Sequence, residues 1–343
     1  MSESKGNKGP VNHGPTLIIH GGAGNLRREL FELEQEYREA LKNSLFAGHQ
    51  ILKNGGSSLD AVVEAVCVME DSPLFNAGKG SVFTLGGKNE LEASIMIGTP
   101  DHQAGAATLL YTVKNPIKLA KEILLDPQVP HVFLGAQWAE EYAKEKGLEL
   151  VDPKYFWTER RWKQHMDGLE QRELQPQNII ATTKTSAAES NILSDKEVGS
   201  MGTVGAVAVD KDGIIAVATS TGGMNNKKDG RIGDTPMLAA GTWADNETCG
   251  VSGTGYGECF IRYAIVHDVA ARVKYLGENI SDAAEQVVKE NKKVGGLAGV
   301  IVLDKYGNVA MSKNCDLMFR GYIRVSDERW ISPVRSGPSP KDL

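Results

Sequence analysis

The chain has 343 residues, of which 41% are hydrophobic and 24% charged. With 38 basic against 44 acidic residues the formal net charge is −6, which excludes a broad surface for nucleic acid or anionic membrane. This is the composition of a globular protein large enough for one big domain or two average ones, and no apolar run approaches the ~20 residues needed to cross a bilayer.

Residues 1–15 are polar, contain Gly and Pro and lack an apolar signal core; they read as a disordered start to a cytoplasmic protein. The four cysteines, Cys67, Cys249, Cys259 and Cys315, form no CxxC pair and no zinc-type spacing, so reduced thiols are expected, with Cys67 in the core. The sequons at Asn246 and Asn279 then read as accidental. Thr16–His20 is a short apolar strand that runs into His20-Gly21-Gly22-Ala23-Gly24. A helix over 28–53 stops at Asn54-Gly55-Gly56. Ser57 then caps a second helix, Leu59–Met69, that is apolar on most faces and should be central. After the loop from Asp71 to Gly80, strands are expected at Ser81–Leu85 and Glu90–Met96 with a Gly86-Gly87 hairpin between them, and another at Ala106–Val113. Helices should cover 116–125, 134–146 and 154–167.

Residues 168–200 lose apolar periodicity, and a structureless stretch of that length inside a domain needs an explanation such as a linker, a lid or a processing site. Strand character resumes at Thr203: Thr203–Asp210 and Ile214–Thr221 flank a Lys211-Asp212-Gly213 turn. Gly241–Asp245 and Thr248–Gly253 suggest further strands, followed by helices at 257–273 and 281–291. Gly299–Asp304 and Asn308–Lys313 form a last hairpin. Hairpins dominate, so the fold class expected is α+β with largely antiparallel sheets covered by helices, not a doubly wound parallel sheet.

Three glycine-rich stretches could carry chemistry. HGGAG (20–24) suits either a tight turn or a cradle of backbone N–H groups. SGTGYGE (252–258), between a strand and a helix, suits either a structural turn or an oxyanion hole. In the third, Gly202-Thr203, a break in the chain would make Thr203 a new N-terminus. Its α-amine, with an ordinary pKa of about 7.7–8.0, could then take the proton of its own hydroxyl. No GxSxG elbow competes, and His20 and His267 sit in apolar settings that suit structural histidines. Arg231 and Asp234 could read the zwitterionic head of an amino acid, although spacing alone also fits an exposed surface pair.

In order, IIHGGAG (18–24), SPLFNAGKGSVFT (72–84), GTVGAVAVD (202–210), ATSTGG (218–223), GRIGDTP (230–236), GTWADN (241–246) and SGTGYGE (252–258) resemble the plant-type asparaginase and isoaspartyl-peptidase family of N-terminal nucleophile (Ntn) hydrolases, from Leu17 to about Arg324. The resemblance implies a single four-layer αββα sandwich over 16–343. It also implies autocleavage at Gly202/Thr203 into chains 1–202 and 203–343, which pair as two αβ heterodimers. It implies hydrolysis of asparagine or β-aspartyl dipeptides with Thr203 as nucleophile and Thr221 polarising it. Thr254 and Gly255 would form the oxyanion hole. Arg231, Asp234, Gly255, Gly257 and Asn76 would hold the substrate, Asn76 from near the cleavage site. No catalytic cofactor is implied. A structural sodium ion would be held by main-chain carbonyls of Met69, Glu70, Ser72, Phe75, Ala77 and Lys79. The sequence departs from the family pattern at Glu92 and Ile97, where aspartates are common, and at Met201, where a polar residue is usual; these departures bear on the efficiency of autocleavage. A glycosylasparaginase-like amidase is the alternative within the family, against which TGYGE and the plain N-terminus argue. An unprocessed, non-catalytic binding protein of the same fold is the alternative outside it.

Overall fold

Two β-sheets lie face to face, each covered on its outer side by helices. The computed structural model describes residues 11–24, 32–174, 202–327 and 329–332. In chain order the strands are β1 (Thr16–Gly24), β2 (Leu91–Ile97), β3 (Ala104–Leu110), β4 (Phe133–Gly135), β5 (Val204–Val209), β6 (Ile215–Thr221), β7 (Thr242–Ala244), β8 (Cys249–Gly255), β9 (Ala298–Asp304), β10 (Val309–Lys313), β11 (Leu317–Arg324) and β12 (Trp330–Ile331). The larger sheet runs β12-β11-β1-β5-β6-β2-β3-β4 and the smaller β10-β9-β8-β7. Every pairing is antiparallel except β3 with β4.

The outer layers follow from helix amphipathicity. In α1 (Glu34–Lys53) the buried residues Tyr37, Leu41, Leu45, Gly48 and Leu52 recur every three or four positions and form one stripe. α2 (Ser58–Glu70) is capped by the Ser57 hydroxyl, which accepts from the Asp60 N–H at 3.1 Å. It is apolar nearly all round because it lies between α1, the sheet and α3 (Pro116–Leu125). The peripheral helices α4 (Ala136–Glu145) and α5 (Glu159–Leu174) follow. On the opposite side, α6 (Gly257–Tyr263) leads into α7 (Ile265–Leu276) and α8 (Ile280–Lys293), whose apolar faces close over β8 and β9.

Strand alternation builds the middle of the molecule. Val204, Ala206 and Ala208 of β5 face the α1/α2 layer, whereas Val207 and Val209 face the second sheet. Burial on both faces is why this segment is a continuous apolar run and not an alternating one. The result is a four-layer αββα sandwich, the Ntn-hydrolase arrangement. Among the described residues no helix is long and apolar enough to cross a membrane.

Several expectations need correction. Ser81–Leu85 is not a strand: Asn89 and Thr84 pin it as a loop, and only Thr84 makes a bridge, to Lys227. Residues 168–174 belong to α5, not to a linker; residues 175–201, Met201 among them, and 1–10 lie outside the described residues. Residues 11–15 are placed, with the His13 N–H donating to the Tyr306 carbonyl at 2.7 Å. The single helix expected over 257–273 breaks at Ala264, whose φ is 48°. β11 was not anticipated. Both sequon asparagines serve the fold: Asn246 Oδ1 accepts from the Ile215 N–H at 2.8 Å, and Asn279 caps α8.

Candidate active site

The same alternation sets up the site. The β5/β6 register pairs Val204 with Ser220 and Gly205 with Thr219; one step further sets Thr203 opposite Thr221. The β2/β6 register then sets Glu92 beside Thr221. Thr219 and Thr221 point toward the second sheet, and Ser220 points the other way, donating to Glu70 at 2.6 Å. The Thr203 hydroxyl donates to the Thr221 hydroxyl oxygen at 3.2 Å, and that oxygen also accepts from the Gly223 N–H at 3.0 Å. Both threonines are buried. Behind Thr203, the His20 ring meets the Ser252 hydroxyl at 2.9 Å, which meets Thr219 at 2.8 Å. Burial pushes His20 down to about 3, with the Thr203 backbone working the other way, so the ring is neutral at neutral pH.

Thr203 and Thr221 open into a pocket whose walls include Arg231, Asp234, Gly255 and Gly257. Arg231 donates to Glu258 through Nε at 3.1 Å, and its Nη2 lies 3.0 Å from the same carboxylate oxygen. Asp234 is buried, with one carboxylate oxygen lacking a hydrogen-bond partner among the described residues. Burial pushes its pKa up to about 7, and the Arg231 guanidinium pulls in the other direction. A buried acceptor without a donor is costly, and an ammonium group is the partner that would relieve it. A guanidinium fork three residues away matches a carboxylate. Gly255 and Gly257 keep the wall thin: a side chain on Gly257 would run into the Asp234 carboxylate and Arg231, and Gly255 has a φ of 148° with the Leu297 carbonyl against its Cα.

The Gly202–Thr203 bond lies in the same place, since Gly202 also lines the pocket. Gly22, at a φ of 106°, packs directly on the Gly202 backbone. HGGAG is therefore a bulged strand end covering the junction, with the β1/β11 register shifting between His20 and Ala23. The Thr254 hydroxyl is fully buried, has no hydrogen-bond partner among the described residues and lies against Gly202.

Asn76 requires a correction. It does not line the pocket: its Nδ2 donates to the Gly223 carbonyl at 2.7 Å and its Oδ1 accepts from Val82 at 3.0 Å. With both ends of the amide occupied, it props the Thr221–Gly223 turn from behind. Ile97 packs with the α1/α2 core, away from the pocket. Ala23, Met224, Asn225, Tyr256 and Leu297 line the pocket and were not anticipated; Met224 and Asn225 directly follow ATSTGG, which was the available signal. Glu258 was visible as the last residue of SGTGYGE, but its pairing with Arg231 was not. Among the described residues no group of three or more His, Cys, Asp or Glu side chains could hold a metal ion. In the loop after α2, a side chain on Gly78 would collide with the Glu70 carbonyl, and one on Gly80 with those of Phe75 and Pro73. The two glycines thus leave space against these carbonyl oxygens that a Cβ would fill.

A family model described as asparaginase matches residues 13–331. The chain is 41% identical over 318 residues to the isoaspartyl peptidase of Escherichia coli, covering 91% of this chain and 93% of that protein. It is 39% identical over 311 residues to the plant-type L-asparaginase of Pyrococcus furiosus, covering 90% and 96%. It is 38% identical over 302 residues to the isoaspartyl peptidase/L-asparaginase of Danio rerio, covering 86% and 88%. With the fold, the pocket and these relatives in agreement, the chain belongs to the asparaginase family of Ntn hydrolases.

Proposed function

We propose that this protein hydrolyses the side-chain amide of L-asparagine and the β-linked peptide bond of β-aspartyl dipeptides, using Thr203 freed by cleavage of the Gly202–Thr203 bond. The observation that carries the reading is the 3.2 Å Thr203–Thr221 hydroxyl pair in one pocket with Arg231 and Asp234. Two substrates share one site because both present the same aspartyl head. Arg231 would bind its α-carboxylate and Asp234 its α-ammonium, leaving the β-carbonyl to face Thr203.

The chemistry runs in two stages. In the precursor, the Thr203 hydroxyl attacks the Gly202 carbonyl carbon. Its oxygen would be stabilised by the Thr254 hydroxyl, which has no partner among the described residues. The Gly202–Thr203 C–N bond then breaks as the ester forms, the nitrogen leaving as the Thr203 amine with the hydroxyl proton, and water hydrolyses the ester to free the Thr203 hydroxyl and the Gly202 carboxylate. In the mature enzyme that amine takes the hydroxyl proton. The Gly223 N–H fills one lone pair of Thr221, so Thr221 can turn its own hydrogen toward the developing alkoxide. Thr203 Oγ1 then adds to the substrate β-carbonyl, and Thr254 with the Gly255 N–H would receive the oxyanion. Ammonia or an amino acid leaves with the proton, and water releases aspartate from the acyl-enzyme. Main-chain carbonyls of Met69, Glu70, Ser72, Phe75, Ala77 and Lys79 would hold a sodium ion that stiffens the support of Asn76, with Gly78 and Gly80 leaving the carbonyls of Glu70 and Phe75 uncovered by any Cβ. Two processed αβ units would associate, which sedimentation of the processed protein tests.

Intact mass and a denaturing gel test the first stage: fragments of 202 and 141 residues (343 − 202) are expected. Thr203→Ala should stay whole and hydrolyse neither substrate. A processed, active Thr203→Ala protein would overturn the mechanism.

A further inference from the structure

The segment that carries Arg231 and Asp234 does not hold its own shape. Its internal backbone bonds are few, a turn from the Arg231 N–H to the Lys228 carbonyl among them. Its anchors come from residues 84–92. The Thr84 hydroxyl donates to the Asp229 carboxylate at 2.6 Å. Both oxygens of Glu90 accept from the Gly230 N–H, at 3.1 and 3.0 Å, and both oxygens of Glu92 accept from the Gly233 N–H at 3.1 Å. These two amides bracket Arg231, and the second immediately precedes Asp234. Glu90 is itself fixed by the Tyr111 hydroxyl at 2.9 Å. Between the carboxylates lies the buried Lys227 ammonium, which donates to the Glu90 carbonyl at 2.9 Å and sits 3.8 Å from Glu90 Oε2. Both glutamates are almost fully buried.

Buried carboxylates are costly and persist only where their oxygens are satisfied. Here every acceptor bond to the loop comes from the backbone flanking the two substrate-head residues. Each carboxylate spans one N–H with both oxygens, which fixes the peptide plane as well as its distance. Arg231 points its guanidinium past Glu92 toward the pocket, and Gly233 has room for nothing between the two. The anchors from Thr84, Glu90 and Glu92 all precede residue 202, whereas both head-binding residues, and the Glu258 that pairs with Arg231, follow it.

We propose that Glu90 and Glu92 are positioning residues for substrate binding, by which the amino-terminal fragment shapes the Arg231–Asp234 arm of the carboxy-terminal fragment. This deepens the proposed function and rests on its assignment of Arg231 and Asp234 to the aspartyl head. The arm sets how tightly the head binds, and the Thr203–Thr221 pair sets the chemistry. Loosening the arm therefore acts on KM, and leaves self-cleavage alone because no amino-acid head takes part in that step. A residue needed only for folding would move both together.

The test uses Glu92→Gln and Glu90→Gln in the full chain, with Tyr111→Phe as a variant that loses a single, partly exposed hydroxyl. Self-cleavage is followed by gel, and kcat and KM are measured for asparagine and a β-aspartyl dipeptide. For the two glutamine variants, wild-type processing and a KM raised about tenfold or more for both substrates are expected, with kcat within about threefold. For Tyr111→Phe, KM should rise about two- to threefold. Processed variants with wild-type KM would overturn the proposal, as would kcat and processing falling together in all three at constant KM. A wild-type chain that never cleaves would instead refute the Thr203 mechanism, and the effect of these variants on aspartate binding would still decide the role of the arm.

Discussion

Asp234→Asn offers a quantitative check on the electrostatics of the head site. The Asp234 carboxyl is raised from the ordinary 3.8 to about 7 because it is buried, and among the described residues one of its oxygens has no partner. A carboxyl whose folded pKa lies above its unfolded one binds its proton more tightly when folded. Its contribution to stability is therefore complete below the unfolded pKa of 3.8 and is lost as pH rises through about 7. Three pKa units correspond to about 4 kcal/mol. The side-chain amide introduced by the substitution would have nearly the shape of the protonated acid and no charge to bury. The variant should thus match the wild type near pH 4 and exceed it by about 4 kcal/mol above pH 8. In between, the gap should open by about 1.4 kcal/mol per pH unit. For a chain of this length that is a Tm difference of about 6 °C at pH 8. Thermal melts from pH 4 to 9 measure it. Saturating aspartate, at about 100-fold its Kd, should then stabilise the wild type by about 2.7 kcal/mol and the variant hardly at all. If the variant were the less stable protein at pH 8, or if the gap did not close in acid, Asp234 would already have a partner and could not be waiting for the substrate ammonium.

Other perturbations follow from the same contacts. Arg231→Lys keeps the charge but loses the fork, so kcat/KM should fall at least about tenfold, with processing unchanged on a gel. Glu258→Gln can still accept from Arg231 but no longer competes for it as an anion; steady-state kinetics should show a KM lowered about threefold. Gly22→Ala places a methyl group against the Gly202 backbone at a φ unfavourable for any side chain. Self-cleavage, followed by intact mass over time, should slow about tenfold or more. Gly205→Ala collides with Ser252 and the His20 ring between the sheets. It should lower stability by about 1–3 kcal/mol in urea melts, without touching any pocket residue.

How much of this was legible in the sequence depends on the range of the interactions involved. α2 was readable because its cap, Ser57, and its apolar run are local. β5 and β6 were readable because the Lys211-Asp212-Gly213 turn fixes their register, and that register alone puts Thr203 across from Thr221. β11 escaped because it is defined by its partner β1, some 300 residues away in the chain. Ser81–Leu85 was misread as a strand because its residue types suit one, while Asn89 and Thr84 satisfy its backbone as a loop. The break at Ala264 carries no Gly or Pro to announce it.

The site divides along the same line. Residues that touch the reacting atoms fall in short glycine-rich motifs, because a backbone that must approach a ligand closely leaves a compositional mark: Gly202, Gly223, Gly255 and Gly257 all line the pocket. Residues that hold those motifs in place leave no such mark. Asn76 could be noticed in SPLFNAGKG yet not distinguished from a ligand-binding residue, since only the occupied ends of its amide reveal that it faces Gly223 and Val82. Glu92 looked like a departure from a family pattern; in the fold it is the group that clasps the Gly233 amide just ahead of Asp234. An aspartate at that position shortens the side chain by one methylene, and the Gly233 peptide must follow. Substrate affinity among relatives should accordingly track the pairing of residue 92 with the Gly233 turn more closely than it tracks Arg231 and Asp234 themselves.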